Sequence, residues 1–128
     1  MNTRRAKIIA MTLIATFVVV RLLLWRSPNS DFDVAGLNIH HLFTGLLLIT
    51  AAGIPLVLFP GRSLVLDIAS IAFGVGLALA LDEWVYLIAT DGSNASYLLP
   101  VSLKGGALMV GLAAVYIFVL RLASRRSR

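Results

Sequence analysis

Leu64–Ala89 reads LVLDIASIAFGVGLALALDEWVYLIA, an apolar run whose only charges are Asp67, Asp82 and Glu83. It exceeds the roughly 20 residues that carry a helix across the hydrocarbon core of a bilayer. At helical spacing, Phe73, Leu77, Leu81, Trp84 and Ile88 form a bulky stripe suited to lipid, with Trp84 suited to the interface. The opposite arc carries Ala72, Gly76, Ala80 and Glu83, with Gly74, Ala78 and Asp82 beside them. Small residues mark close helix contacts in membranes, so both carboxylates lie on ridges turned away from lipid. They point about 100° apart and need not share one ligand.

Working outward, residues 7–25, 39–59 and 99–120 are apolar runs of the same kind. The connections carry turn chemistry: Ser27-Pro28-Asn29, Pro60-Gly61 and Asp91-Gly92-Ser93-Asn94. Short loops and an even number of spans predict an all-α fold, an integral membrane four-helix up-down bundle. One transmembrane domain fills the chain, and residues 121–128 form a basic tail. A spanning sheet is disfavoured, because the segments are too long and lack period-two alternation. Pro55 is expected to kink the second helix near its end.

Composition agrees with this reading. Of the 128 residues, 59% are hydrophobic and 13% are charged, against roughly a quarter charged in an average soluble domain. That excludes a disordered chain and leaves too little polar surface to cover a small soluble globule. The absence of cysteine excludes disulfides, thiolate nucleophiles, zinc fingers and cysteine-held iron–sulfur clusters. The N-terminus imitates a secretory signal, with Arg4, Arg5 and Lys7 before an apolar run, but no small-residue cleavage site follows. The first span is therefore read as uncleaved.

The net charge of +5 is distributed unevenly. Arg4, Arg5, Lys7, Arg62, Arg121, Arg125, Arg126 and Arg128 fall on one side of the spans, beside Asp67 alone. Arg21, Arg26 and Lys104 fall on the other, with Asp31, Asp33, Asp82, Glu83 and Asp91. The positive-inside rule puts both termini in the cytoplasm, in a multi-pass protein of the cytoplasmic membrane. Basic residues placed this way report orientation, so the expected partner is the lipid bilayer and not nucleic acid. A homo-oligomer or a larger membrane complex would also suit the apolar faces.

Ionisable side chains inside a span are costly and turn toward the protein interior. His40 and His41 open the second helix, with Asn38 available as its N-cap, and align with Thr44 and Gly45 one turn on. Lys104 aligns with Ala107, Gly111 and Ala114 on the fourth. His40, His41, Asp82, Glu83 and Lys104 are therefore expected to meet near the periplasmic or extracellular face. Arg21 is read as snorkelling to the interface beside Trp25. Tyr86 and Tyr97 are assigned to the aromatic belt. Asp67 is expected to pair with Arg62 or to serve the first turn of its helix. Asp31, Asp33 and Asp91 are read as solvated loop charges.

Ile39-His40-His41-Leu42-Phe43-Thr44-Gly45, then GVGLALALDE at residues 74–83 and Ser96-Tyr97, together resemble a small multi-span prokaryotic family of integral membrane proteins. In that family a His-His…Gly segment precedes a Gly-x-Gly…Leu-Asp-Glu segment. The resemblance covers about half the chain and implies a membrane fold without implying an activity.

Three functions suit the cluster. The first is non-enzymatic: a structural or ligand-binding polar network in which Lys104 pairs with Asp82 or Glu83 and fixes helix register. The second is a metal-dependent membrane enzyme acting on a lipid-borne substrate. His41, His40, Glu83 and Asp82 would hold zinc, iron or manganese, and Glu83 or Asp82 would act as general base. The third is proton or small-ligand transport, for which Thr12, Thr16, Thr50 and Ser70 supply only a thin polar path beyond the cluster.

Overall fold

The computed structural model describes residues 2–27, 33–34 and 37–126. Four long helices dominate it: α1 (Thr3–Arg26), α2 (His41–Leu58), α3 (Leu64–Ala89) and α5 (Pro100–Arg126). A single helical turn, α4 (Asn94–Tyr97), lies between α3 and α5. Between α1 and α2, β1 (Asp33–Val34) pairs antiparallel with β2 (Leu37–Asn38). All four long helices are long and apolar enough to cross a membrane. The expected loop charge Asp31 lies outside the described residues.

Local chemistry sets the helix ends. The Asn2 side chain accepts from the Arg5 N–H at 3.2 Å, and Ser63 Oγ accepts from the Leu66 N–H at 3.2 Å. These satisfy donors that a helix cannot satisfy itself. Pro100 begins α5, where its missing N–H costs nothing. Gly61, at φ +86°, turns the chain between α2 and α3. The α2 helix continues past Pro55 to Leu58, and the Phe59 N–H closes the end on the Pro55 carbonyl. Asn38, expected as the cap of α2, belongs to β2 instead, and His40 holds the N-cap position. At the other end, α5 runs on through Arg126, so the basic tail is largely helix.

Directions alternate along the chain as the short connections require. Arg4 meets Asp67 and Arg21 meets Asp82, so α1 and α3 run parallel. Gly45 meets Gly76, so α2 runs against them, and Gly106 meets Asp82, so α5 does too. The packing is not a ring around a common axis. α3 is central, with α1 and α5 against it and each other, while α2 packs on α3. Leu13, Ala78 and Val110 form the buried core between α1, α3 and α5, and Phe17, Leu77, Leu81 and Ile117 pack around it. The central position of α3 corrects the expected lipid stripe: Leu77 and Leu81 are half-buried against neighbours, while Trp84 is 50% exposed and Ile88 75%.

Glycine allows two close approaches that matter for the site. A Cβ on Gly45 would lie 2.5 Å from the Gly76 carbonyl oxygen, and one on Gly76 would lie 2.7 Å from the Gly45 carbonyl oxygen. The α2 and α3 backbones therefore touch through this pair. A Cβ on Gly106 would lie 2.7 Å from Asp82 Oδ1 and 3.0 Å from Arg21 Nη2. The missing side chain on α5 leaves room for a guanidinium–carboxylate pair.

Candidate functional site

Asp82 and Glu83, on the ridges read from the sequence, are 1% and 3% exposed. Carboxylates this buried need donors, because an unpaired buried charge is strongly destabilising. Asp82 Oδ1 accepts from Arg21 Nε at 2.6 Å. Its Oδ2 meets His41 Nε2 at 2.9 Å and accepts from the Tyr97 hydroxyl. Glu83 Oε1 meets His40 Nδ1 at 3.2 Å and lies 3.4 Å from His41 Nδ1. Its Oε2 accepts from the Leu42 backbone N–H at 2.8 Å. His40 offers no side-chain cap, so a carboxylate from α3 caps the N-terminus of α2.

The two histidines reach the same carboxylate because they are not both helical. His40 sits at the N-cap with φ −58° and ψ 140°, outside helical geometry, so the 100° offset expected of helical neighbours does not apply. The His41 ring lies between the two carboxylates and couples them, although their side chains leave α3 in different directions. Both of its ring nitrogens face carboxylate oxygens.

The cation of the cluster is Arg21, not Lys104. Lys104 is exposed and forms no ion pair with Asp82 or Glu83. The small residues of α5 lie on two faces: Ser102, Gly105 and Gly106 are buried, while Ala107 and Gly111 are exposed with Lys104. Arg21, expected at the interface beside Trp25, turns inward instead. Its Nη1 donates to the Tyr97 carbonyl at 3.2 Å, and its Nη2 to the carbonyls of Asp82 and Ser102 and to Ser102 Oγ at 3.0–3.3 Å. The planar five-donor guanidinium suits this many acceptors, which an ammonium cannot match.

Tyr86 and Tyr97 are also corrected. Neither lies in an outer belt: they are 1% and 6% exposed. Tyr97 packs its ring 4.1 Å from the Arg21 guanidinium carbon and meets His41 edge-on. Burial, aided by the Asp82 charge, pushes the Tyr97 phenol well above its ordinary pKa, so it remains a donor. Tyr86 donates to the Ser93 carbonyl at 3.0 Å and stacks edge-on against Tyr97. That contact ties the α3–α4 turn to the cluster. In the turn, Asp91 Oδ1 accepts from the Ser93 N–H and from the Ser93 and Ser96 hydroxyls. These bonds pull the exposed Asp91 carboxyl down to about 2. Asp91 serves the turn and does not reach over the cluster.

Among the described residues, no three His, Asp or Glu side chains are arranged to hold a metal ion. His40, His41, Asp82 and Glu83 meet, yet their atoms face each other and protein donors instead of a common point. The hydroxyls expected to extend a polar path bond within their own helices: Thr12 to Ile8, Thr50 to Leu46 and Ser70 to Leu66. At the far end of α3, Asp67 pairs with Arg4 at 2.6 Å, where Arg62 was expected.

No protein-family model, curated protein sequence or solved structure matches the chain.

Proposed function

We infer that this chain is an integral membrane protein with both termini in the cytoplasm, whose polar cluster is a structural latch near the outer face and not a catalytic centre. One observation carries the reading: the cluster oxygens of Asp82 and Glu83 are engaged by donors from α1, α2 and α4. Such a network fixes the register of helices that hydrophobic contact alone would let slide, because lipid is as apolar as the helix faces. It acts as a hub between helices.

Because the chain has no cysteine, single substitutions report topology directly. Ala95→Cys should react with a membrane-impermeant maleimide in intact cells, and Ala123→Cys only after permeabilisation. The reverse pattern would overturn the orientation, and release of the chain by alkaline carbonate would overturn membrane integration. For the latch, a set of inert cluster variants with unchanged unfolding stability would be fatal.

A second reading rests on access. The His40 and His41 side chains are 22% and 21% exposed, with the carboxylates behind them. This partial exposure in front of buried carboxylates supports the alternative that the cluster handles a proton or a small ligand. Imidazole nitrogen shifts followed against pH by NMR test it: rings that do not titrate while the protein stays folded would remove it.

A further inference from the structure

The two ends of the helix layer treat arginine differently. At one end Arg21 spends its donors on Asp82, Tyr97 and Ser102. At the other, Arg121 Nε is buried and has no hydrogen-bond partner. Arg121 is no stray surface charge. Val110, Ala114 and Ile117 lie on the stripe of α5 that packs against the core, and Arg121 is the next residue at that spacing. The stripe thus places Arg121 on the side of α5 that faces α1 and α3.

That end of the helix layer is basic. Val110 packs with Leu13 and Ala78, and eleven residues on, about 16 Å along the helix axis, Arg121 reaches the level of Asp67. Asp67 is the one acid there, and Arg4 already engages it at 2.6 Å. Arg125 stands one turn beyond Arg121 and is exposed, as is Arg62 in the α2–α3 turn. A half-buried arginine whose Nε is buried and has no hydrogen-bond partner among the described residues, at the end of the helix layer that carries most of the basic residues, calls for an anion at headgroup depth. A guanidinium matches phosphate oxygens in geometry as well as charge.

We propose that the end of the layer carrying both termini binds the phosphate of an anionic phospholipid, recognised by Arg121 with Arg4 and Arg125 beside it. This rests on the membrane reading above. It goes beyond a general preference of basic ends for anionic leaflets, because it assigns the recognition to one residue, Arg121.

The test uses the full chain in neutral detergent, with lipid binding followed by native mass spectrometry. Phosphatidylglycerol should bind about fivefold or more tightly than phosphatidylcholine, the gain expected of a single cation near an anionic headgroup. Arg121→Gln should abolish the preference. Should that variant not fold, Arg121→Lys keeps the charge, removes Nε and should at least halve it. Equal affinity for the two lipids overturns the proposal, as does an undiminished preference in the Arg121 variants. Displacement of the lipid by millimolar inorganic phosphate would make this a free-phosphate site and overturn the lipid assignment. Loss of the chain from membranes under alkaline carbonate defeats the membrane reading and this inference together, whereas a membrane-retained chain indifferent to lipid charge defeats this inference alone.

Discussion

Arg21 and Asp82 lie 61 residues apart in the chain and meet through a 2.6 Å Nε–Oδ1 ion pair, with Asp82 1% exposed. The pair joins α1 to α3 under Gly106 of α5, so one contact involves three helices. Its stability contribution lies less in the attraction than in what breaking it leaves behind. Arg21→Met leaves the buried Asp82 Oδ1 without its cation, with only His41 and Tyr97 on Oδ2, and should lower unfolding stability by about 3 kcal/mol. Asp82→Leu strands the guanidinium and should cost a similar amount. The double variant should lose clearly less than the sum of the two, since neither charge then lacks a partner. Reversible unfolding in mixed micelles measures all three, and strict additivity would show that the pair is not coupled.

The α2–α3 contact leads to a different expectation. Gly45 and Gly76 face each other so closely that an added methyl on either meets carbonyl oxygen. Backbone cannot swing aside as a side chain can, so Gly45→Ala should separate the helices and cost about 1–3 kcal/mol. It should also loosen the latch, because His41 lies one turn above Gly45 on the same helix. Gly111→Ala is the control: nothing lies within 4 Å of its added carbon. There the higher helix propensity of alanine should stabilise by up to about 1 kcal/mol. Thermal melts of the two variants should therefore move in opposite directions.

How far the sequence revealed this arrangement depends on the kind of signal. The four long helices were legible because about 20 apolar residues in a row have few other uses. The inward facing of Asp82 and Glu83 was legible because Gly74 and Ala78 with Asp82, and Gly76 and Ala80 with Glu83, mark two ridges of small residues on α3. The cation was not, because α5 carries small residues on two faces and spacing alone does not rank them. Arg21 was misread because a long side chain near a helix end can turn to either side of the interface. The same ambiguity sent Tyr86 and Tyr97 to the belt: an aromatic near a span end with a hydroxyl partner inside packs inward. The shared reach of His40 and His41 turned on a single non-helical residue at the N-cap, a boundary detail finer than pattern reading resolves.

Asp91 gives the one pH dependence with a defined window. Its carboxyl is drawn from the ordinary 3.8 to about 2, chiefly by the Ser93 backbone N–H, then by the Ser96 and Ser93 hydroxyls. A carboxyl with a depressed folded-state pKa adds to order above its ordinary pKa, and that contribution fades as pH falls through the lowered value. The turn between α3 and α4 should therefore stay closed at pH 4 and open progressively toward pH 2. Carboxyl carbon shifts in a labelled sample report the titration directly. Asp91→Asn should remove the transition, and a midpoint near 4 in the native chain would mean that the three bonds do not hold the carboxylate.

Glu83 offers the sharpest separation of geometry from charge. The first N–H groups of any helix lack partners within it. In α2, the Leu42 N–H is met by Glu83 Oε2 at 2.8 Å, while the Phe43 N–H bonds to the His40 carbonyl. Removing a helix cap costs about 1 kcal/mol, so Glu83→Ala should speed amide exchange at Leu42 by about fivefold. Glu83→Gln keeps an oxygen at the same reach and should leave that amide protected, while still losing the charge that holds His40 and His41. The two variants therefore divide what Glu83 does. Exchange at Leu42 should separate Ala from Gln, and the environment of the imidazoles should separate both from the native chain. If Gln exposed the amide as fully as Ala, the cap would depend on the ion pair to hold the side chain in place, and the two roles of Glu83 would be one.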